Sequence, residues 1–303
     1  MAGDAVMTQF GGWRGAGAPS RPEPTTAIVR RGEDGWGRGA TGPAKLDHYR
    51  HSTLITHFCY NTFTHISTMP ATVYRASVER IDIRSYNVRG FRFKLLEPPR
   101  LDFKAGQFII LNVPHEGKTV KRAYSVASPP HEPNAIELCI QHVEGGIAST
   151  YFWKLKQGDT VSVSGPHGNF LLKDPLDYDP IFMATGTGVA PLRAMIKHLF
   201  HINFTRDVWL LFGTRYEHAL LYESEFRSLA ALRHNFHYIP TVSRPKDWHG
   251  ESGHVQQTFQ KHITDFSNKE IYLCGWLEVV KAVCRDLEGF GVPREKLHYE
   301  EWA

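Results

Sequence analysis

The sequence predicts two domains, an antiparallel β-barrel followed by a doubly wound α/β domain with a parallel sheet. The chain has 303 residues, of which 42% are hydrophobic, so it can bury two cores of ordinary size. Extended, alternating segments fill residues 71–174, whereas strands alternate with glycine turns and helices from residue 175 onward. We therefore expect a barrel domain at 69–174 and an α/β domain at 175–303.

Residues 1–68 differ in kind from the rest of the chain. Ten of the 26 glycines lie there, and no period of 2 or 3.6 is sustained. Such a segment cannot bury enough apolar surface to offset the entropy of ordering, so we expect a disordered extension. The alternative is that translation starts at Met69, just before the first patterned strand, and that the preceding segment is a mis-called start.

The barrel is predicted from extended segments separated by turn-rich pieces such as "KQGD". One helical segment, "GGIASTYFWKLKQG", interrupts them; it opens on glycines and small hydroxyl residues and closes on a glycine. The strand segments are 72–83, 90–97, 107–114, 122–128, 135–143 and 159–165.

The α/β domain is predicted from five short apolar strands that alternate with helices. This pattern indicates a parallel sheet with right-handed crossovers, which binds ligands at the carboxyl ends of its strands. The strand segments are 180–185, 207–213, 236–243, 270–275 and 296–302.

The first strand of this domain ends in "ATGTGVAPL". Gly186 and Gly188 let the backbone approach a pyrophosphate closely, and Pro191 suits the first turn of a helix. The free N–H groups of that helix favour an anion. An ordinary strand-to-helix turn is the alternative, but the strand before and the helix after favour a dinucleotide.

The next two strand ends carry groups that suit a 2′-phosphate. Arg215 follows the second strand, with no carboxylate before Glu217, and Ser243 and Arg244 follow the third. An NAD-selective site tends to have an acidic residue at the end of the second strand. The pattern favours NADPH over NADH, with solvated surface arginines as the alternative.

Composition and motif content argue against nucleic-acid-binding, metal-binding and membrane functions. The net charge is only +4 and the basic residues are scattered, which argues against a nucleic-acid partner. The four cysteines lack iron–sulfur or zinc spacing, and the histidines show no metal-binding motif, so we predict no metal site. Since there is no apolar run of membrane-spanning length and no signal-peptide pattern, we expect a cytoplasmic protein without a membrane partner.

Taken together, the motifs resemble the ferredoxin–NADP reductase superfamily, in members without an iron–sulfur domain. The resemblance covers residues 71–303, and the order and spacing of the motifs make it specific. The motifs are "RAYS" at 122–125, "GIAS" at 146–149, "GTGVAP" at 186–191, "CG" at 274–275 and the terminal "EEW" at 300–302.

The resemblance implies that FAD is bound by the barrel domain. Arg122 would pair with the FAD pyrophosphate, Tyr124 would pack on the isoalloxazine, and Ser125 would hydrogen-bond near flavin N5, where hydride arrives. The FAD-binding residues implied are Arg122, Ala123, Tyr124, Ser125, Gly145, Gly146, Ser149, Thr150 and Trp302. Trp302 stands where plant-type members have a terminal tyrosine that covers the flavin, although Ala303 is added beyond it.

The resemblance also implies that NADPH, or NADH, is bound by the α/β domain. Cys274 would face the nicotinamide, and Glu300, with Glu301 as its alternative, would assist proton balance around the reduced flavin. Ser125, Cys274 and Glu300 are therefore the predicted catalytic residues. The predicted NAD(P)-binding residues are Thr185, Gly186, Thr187, Gly188, Arg215, Ser243, Arg244, Cys274 and Gly275.

The function implied is an FAD-dependent NAD(P)H oxidoreductase that transfers hydride between nicotinamide and FAD and passes electrons to ferredoxin, flavodoxin or another redox protein. The resemblance also implies a monomer. Two alternatives stay open, namely the reductase component of a multi-component oxygenase and a non-enzymatic flavin-binding regulator on the same scaffold.

Overall fold

This computed structural model describes residues 71–302, without the side chain of Trp302. The flavin-covering role predicted for that side chain therefore lies outside the described residues. So do the predictions for residues 1–68 and for a start at Met69.

The first half is an antiparallel barrel of six strands in the order β4-β3-β6-β1-β2-β5, as the alternating segments predicted. An isolated bridge between Val126 and Leu138 links the two outer strands and closes the barrel. Phe91, Phe93 and Phe152 are fully buried in its core. The elements are β1 (Thr72–Ser85), β2 (Val88–Glu97), β3 (Phe108–His115), β4 (Lys118–Ser125), β5 (Ala135–Gln141), α1 (Ile147–Lys154) and β6 (Thr160–His167).

Strand β5 is buried on both faces, unlike the other barrel strands. Ile136, Leu138 and Ile140 point into the barrel core. Cys139 instead belongs to a cluster that includes Leu192 and Met195 of the second half. The apolar run of this strand thus reflects its position between two cores.

The second half is a parallel sheet in the order β10-β9-β8-β7-β11-β12. Five of its strands were predicted; the sixth, β10, has only two residues and pairs with β9 through Glu251 and Ser252. A strand of that length carries no readable period. The elements are β7 (Asp179–Thr185), α2 (Val189–His201), β8 (Val208–Thr214), α3 (Glu223–Leu232), β9 (Phe236–Val242), β10 (Glu251–Ser252), α4 (Val255–His262), β11 (Lys269–Trp276), α5 (Leu277–Gly289) and β12 (Leu297–Trp302).

The strand order reverses between β7 and β11. The chain proceeds outward from β7 through β8 and β9 to β10, and then returns to place β11 on the other side of β7. In open parallel sheets such a reversal opens a crevice at the carboxyl ends of the strands, where ligands bind. Both predicted motifs, "GTG" and "CG", lie at this edge. Within residues 71–302, no helix combines the length and apolar character needed to cross a membrane.

Candidate active site

The glycine turn after β7 is a short 3₁₀ turn, Gly186–Gly188, that leads into α2. Gly186 has φ 54° and open space where a Cβ would stand. A Cβ on Gly188, by contrast, would lie 2.1 Å from the carbonyl oxygen of Cys274. Gly186 therefore provides the left-handed turn, whereas Gly188 lets α2 pack against the end of β11. The sequence had suggested the same purpose for both glycines, close approach to a phosphate.

The end of β11 packs equally closely against β7. Gly275 has φ 154°, and a Cβ there would lie 2.2 Å from Oγ1 of Thr185. That hydroxyl accepts a hydrogen bond from the backbone N–H of Trp276 at 3.3 Å. The two sides of the crevice are thus joined through the Thr185 hydroxyl, which leaves no room for a side chain at Gly275. Thr187, in the turn between the two glycines, is half-buried, and Gly186 before it is exposed.

Cys274 and Glu300 are neighbours in the parallel pair formed by β11 and β12. Cys274 is 1% exposed, and burial, together with the nearby Glu300 carboxylate, raises the pKa of its thiol well above the ordinary value. The thiol therefore stays protonated near neutral pH. A small neutral group at this position suits packing against a ring, and does not suit nucleophilic attack.

Ser125 meets Glu300 across the two halves of the molecule. The Ser125 hydroxyl donates a hydrogen bond of 3.0 Å to Oε2 of Glu300, although the residues are 175 positions apart. Burial raises the pKa of Glu300 to about 7, and the hydrogen bond from Ser125 offsets part of this effect. Glu301, the alternative, is exposed. The structure therefore brings together Ser125, Cys274 and Glu300, the three predicted catalytic residues.

The remaining "RAYS" residues line β4. The Tyr124 ring packs edge-on against Phe152 of α1 with 5.3 Å between centroids, and burial raises the pKa of its phenol to about 12. Ala123 and Arg122 are exposed. The guanidinium of Arg122 donates to the Lys121 carbonyl at 2.9 Å and makes no ion pair with a carboxylate in the described part of the chain. Arg122 is thus available to an anion.

The loop before α1 is shaped by Ser149. Its hydroxyl accepts a hydrogen bond from the Val143 N–H at 3.1 Å and donates one to the Val143 carbonyl at 3.0 Å. Gly145 has φ 71°, and Gly146 is the N-cap of α1. Because the Ser149 hydroxyl is buried in these contacts, the backbone N–H groups of the first turn are the donors that remain for an anion. Thr150, in the same turn, is half-buried.

Arg215 and Arg244 lie next to each other at the ends of β8 and β9. The Arg244 N–H donates to the Arg215 carbonyl at 2.8 Å, and the Ser243 N–H donates to the Thr214 carbonyl at 2.9 Å. Both arginine side chains are exposed, and neither has an ion-pair partner among residues 71–301. The nearby carboxylate, Glu217, instead faces the backbone N–H of Asp247 at 3.4 Å. The edge therefore offers two positive charges and a serine to a ligand.

Sequence reasoning missed a buried charged pair between the two halves, Glu137 and Arg193. Each stands in an otherwise apolar stretch, "AIELCI" for Glu137 and "GVAPLRAMI" for Arg193. A charge within a buried run is the signal that could have identified them.

Comparison with known proteins assigns each half to a family. Residues 75–171 match the oxidoreductase FAD-binding domain, and residues 182–285 match the oxidoreductase NAD-binding domain. The chain is 35% identical over 224 residues to ferredoxin–NADP reductase B of Sorangium cellulosum, covering 71% of this chain and 91% of that protein. It is 37% identical over 224 residues to the reductase component of phenol 2-monooxygenase from a Pseudomonas species, covering 72% of this chain and 62% of that protein.

Solved structures share the fold. The cytochrome P450 reductase of Amycolatopsis superposes with a TM-score of 0.71 at 27% identity, covering 77% of this chain and 71% of that one. A ferredoxin–NADP⁺ reductase of Neisseria gonorrhoeae, solved with FAD and NADP, superposes with a TM-score of 0.68 at 22% identity. That match covers 77% of this chain and 99% of that one.

Proposed function

Because the chain belongs to the ferredoxin–NADP reductase superfamily and is an FAD-dependent NAD(P)H oxidoreductase, we propose that it passes electrons from NADPH through FAD to ferredoxin or flavodoxin. The single observation that carries the proposal is the contact between Ser125 and Glu300 beside Cys274. A hydroxyl from the FAD-binding half and a carboxylate from the NAD-binding half meet there, at the end of β12 next to β11.

The residues present fit an FAD pyrophosphate and ring in the barrel half. Arg122 is a guanidinium without a carboxylate partner in the described chain, and the first turn of α1 offers free N–H groups behind Gly145 and Gly146. Tyr124, held by Phe152, supplies an aromatic surface. We assign residues 69–174 to this FAD-binding domain and residues 175–303 to the NAD(P)-binding domain.

The crevice fits a nicotinamide dinucleotide. The turn at Gly186 and the N-terminus of α2 suit its pyrophosphate, and the buried, neutral thiol of Cys274 lies at the end of β11 beside them. Arg215, Ser243 and Arg244 suit the 2′-phosphate of NADPH, since two exposed arginines and a serine stand at neighbouring strand ends whose backbones are hydrogen-bonded.

FAD, when bound, supplies a hydride acceptor that can release electrons singly. In this structure the one Ser125 hydroxyl proton is donated to Oε2 of Glu300. Protonation of Glu300 would reverse this hydrogen bond and free the Ser125 hydroxyl to donate toward the position assigned to flavin N5. With a pKa of about 7, Oε2 of Glu300 can hold or release a proton near neutral pH. The burial of Glu300 beside Ser125 limits the access of water to this pair.

A second candidate is the reductase component of an oxygenase, which the likeness to the phenol 2-monooxygenase component supports. This chain spans about three fifths of that protein. The two candidates differ in the protein that accepts the electrons. A non-enzymatic flavin-binding regulator is the third candidate. The meeting of Ser125, Cys274 and Glu300 argues against it, because a protein that only binds flavin has no need of all three.

The test is anaerobic reduction of the FAD-loaded protein by NADPH and by NADH, followed by transfer to ferredoxin, flavodoxin or an oxygenase component. We expect rapid reduction by NADPH and slower reduction by NADH. Transfer to ferredoxin or flavodoxin supports the first candidate, and transfer to an oxygenase component alone supports the second. An FAD-loaded protein that oxidises neither nucleotide, with ferricyanide as acceptor, would contradict the enzymatic proposal. Sedimentation of the same sample tests the monomer that we propose.

A further inference from the structure

A buried ionic cluster joins the two halves of the molecule through residues other than the predicted catalytic ones. We call it the interdomain cluster. Its central carboxylate, Glu137 of β5, is 3% exposed. Glu137 accepts hydrogen bonds from Arg84 of the barrel at 3.1 Å and from the hydroxyl of Tyr222 in the α/β half at 3.0 Å. The members of the cluster are Arg84, Glu137, Arg193, Tyr222 and Glu225.

Arg193, on α2, crosses from the α/β half into the barrel. Its side chain is 6% exposed. Its Nη1 atom donates to the Ala127 carbonyl at 2.8 Å and to Oε2 of Glu137 at 3.5 Å. The remaining nitrogens of the guanidinium form a fork on Glu225 of α3, with distances between 2.8 and 3.0 Å. The same group lies 4.4 Å from the centre of the Tyr222 ring. Arg193 is therefore held on both sides of the interface.

Stability alone explains this arrangement poorly. Removing two charges from water is costly, and well-packed apolar residues of similar volume often stabilise a fold as much as a buried ion pair. Apolar contacts tolerate sliding, whereas hydrogen bonds of fixed direction select one relative position. The cluster is thus suited to fixing the position of the barrel half relative to the α/β half.

The position that it sets bears directly on the candidate active site. Ala127 follows Ser125 by two residues, and Arg193 follows Gly188 by five. A single guanidinium therefore ties the helix that starts at the glycine turn to the end of the strand that carries Ser125. We propose that the interdomain cluster positions the nicotinamide-binding turn against Ser125, so that Arg193 and Glu137 act as positioning residues for hydride transfer. This inference rests on the proposed roles of Ser125 and the glycine turn.

The test compares limiting rates of FAD reduction in stopped flow, with the FAD-loaded full chain and saturating NADPH. Glu137→Gln keeps the shape but weakens the bonds to Arg84 and Arg193, and Arg193→Lys keeps the charge but cannot form the fork. We expect the limiting rate to fall by about tenfold or more in each variant, because displacement of reacting groups by about 1 Å can cost about a hundredfold. FAD content and the NADPH concentration for half-maximal rate should stay within about twofold of the wild-type values, because the residues that hold the cofactors are untouched.

Asp179→Asn is the matched control. Asp179 pairs with Arg206 at 2.9 Å and Lys269 at 3.5 Å, both within the α/β half, so its loss removes a carboxylate with two cationic partners but leaves the interface intact. The control should lower thermal stability and keep the limiting rate.

Wild-type limiting rates in Glu137→Gln and Arg193→Lys would overturn the inference, and so would an equal fall in Asp179→Asn. If Glu137→Gln does not fold, Arg193→Lys decides by the same criteria, and failure of both to fold would assign the cluster a purely structural role. Absence of FAD reduction in the wild type would instead contradict the proposed function, so the two failures are distinguishable.

Discussion

The two halves of the candidate site are built by different means. On the barrel side, separate side chains of one strand carry the predicted tasks, with Arg122 exposed and Ser125 bonded to Glu300. On the α/β side, the crevice is formed by backbones in contact at Gly188 and Gly275. Substitutions on the barrel side should therefore remove one task at a time. On the α/β side, a single Cβ added at Gly188 or Gly275 should disturb several tasks at once.

The largest effect is expected from Gly188→Ala. The new methyl group would lie 2.1 Å from a backbone oxygen that cannot move away cheaply, so we expect a loss of stability of about 3 kcal/mol and of most NAD(P)H-dependent activity. Urea unfolding and FAD reduction by NADPH measure both. Gly289→Ala, where no heavy atom lies within 4 Å of the new Cβ, is the control and should change stability by less than about 0.5 kcal/mol. If Gly188→Ala and Gly289→Ala lost stability and activity equally, close backbone packing at Gly188 would not be what forms the α/β side of the site.

Arg122→Ala and Ser125→Ala test whether the barrel side divides its tasks. Arg122→Ala should weaken FAD binding by about ten- to a hundredfold, because a charged hydrogen bond is worth about 1.5–3 kcal/mol. Ser125→Ala should keep FAD bound and slow hydride transfer by about tenfold or more. Fluorescence titration with FAD and stopped-flow reduction of the loaded protein separate these outcomes. If both variants lost FAD to the same degree, the division of tasks would be wrong.

Arg215→Ala tests the one part of the α/β side that relies on side chains. The KM for NADPH should rise by about tenfold, since a phosphate loses one charged partner, and the KM for NADH should change little. Arg206→Ala is the control, because Arg206 pairs with Asp179 at the opposite edge of the sheet and should affect neither KM. A parallel rise for both nucleotides would contradict a 2′-phosphate role for Arg215.

The last effect concerns stability alone, in its pH dependence through Glu300. Burial raises the folded-state pKa from 4.5 to about 7, so the folded protein holds a proton that the unfolded chain releases. The free energy of unfolding should therefore fall as pH rises from 4.5 to 7, by up to about 3 kcal/mol from this buried group. Glu300→Gln should lack this component when urea unfolding is measured at pH 5 and pH 8. An unchanged pH profile would indicate that Glu300 is ionised throughout.

Much of the candidate site could be predicted from the sequence because its motifs are local. The strand pattern around Ser125, the strand, turn and helix around Gly186, and the glycine after Cys274 each occupy one short stretch, and their order identified the superfamily. Strand and helix periods also follow from neighbouring residues, which is why the barrel and the parallel sheet were both predicted. The two-residue strand β10 was missed because it is too short to show a period.

What the sequence determined by itself, then, were the fold class, the superfamily, and the short motifs that hold the predicted catalytic residues. The tertiary structure decided which groups meet. It selected Glu300 over Glu301 as the partner of Ser125, gave Gly188 a packing role against Cys274, and revealed the Arg193–Glu137 pair. These contacts join residues far apart in the chain, and their distances depend on how two separate cores pack against each other. No local pattern encodes that packing, because it follows from the complementarity of whole surfaces.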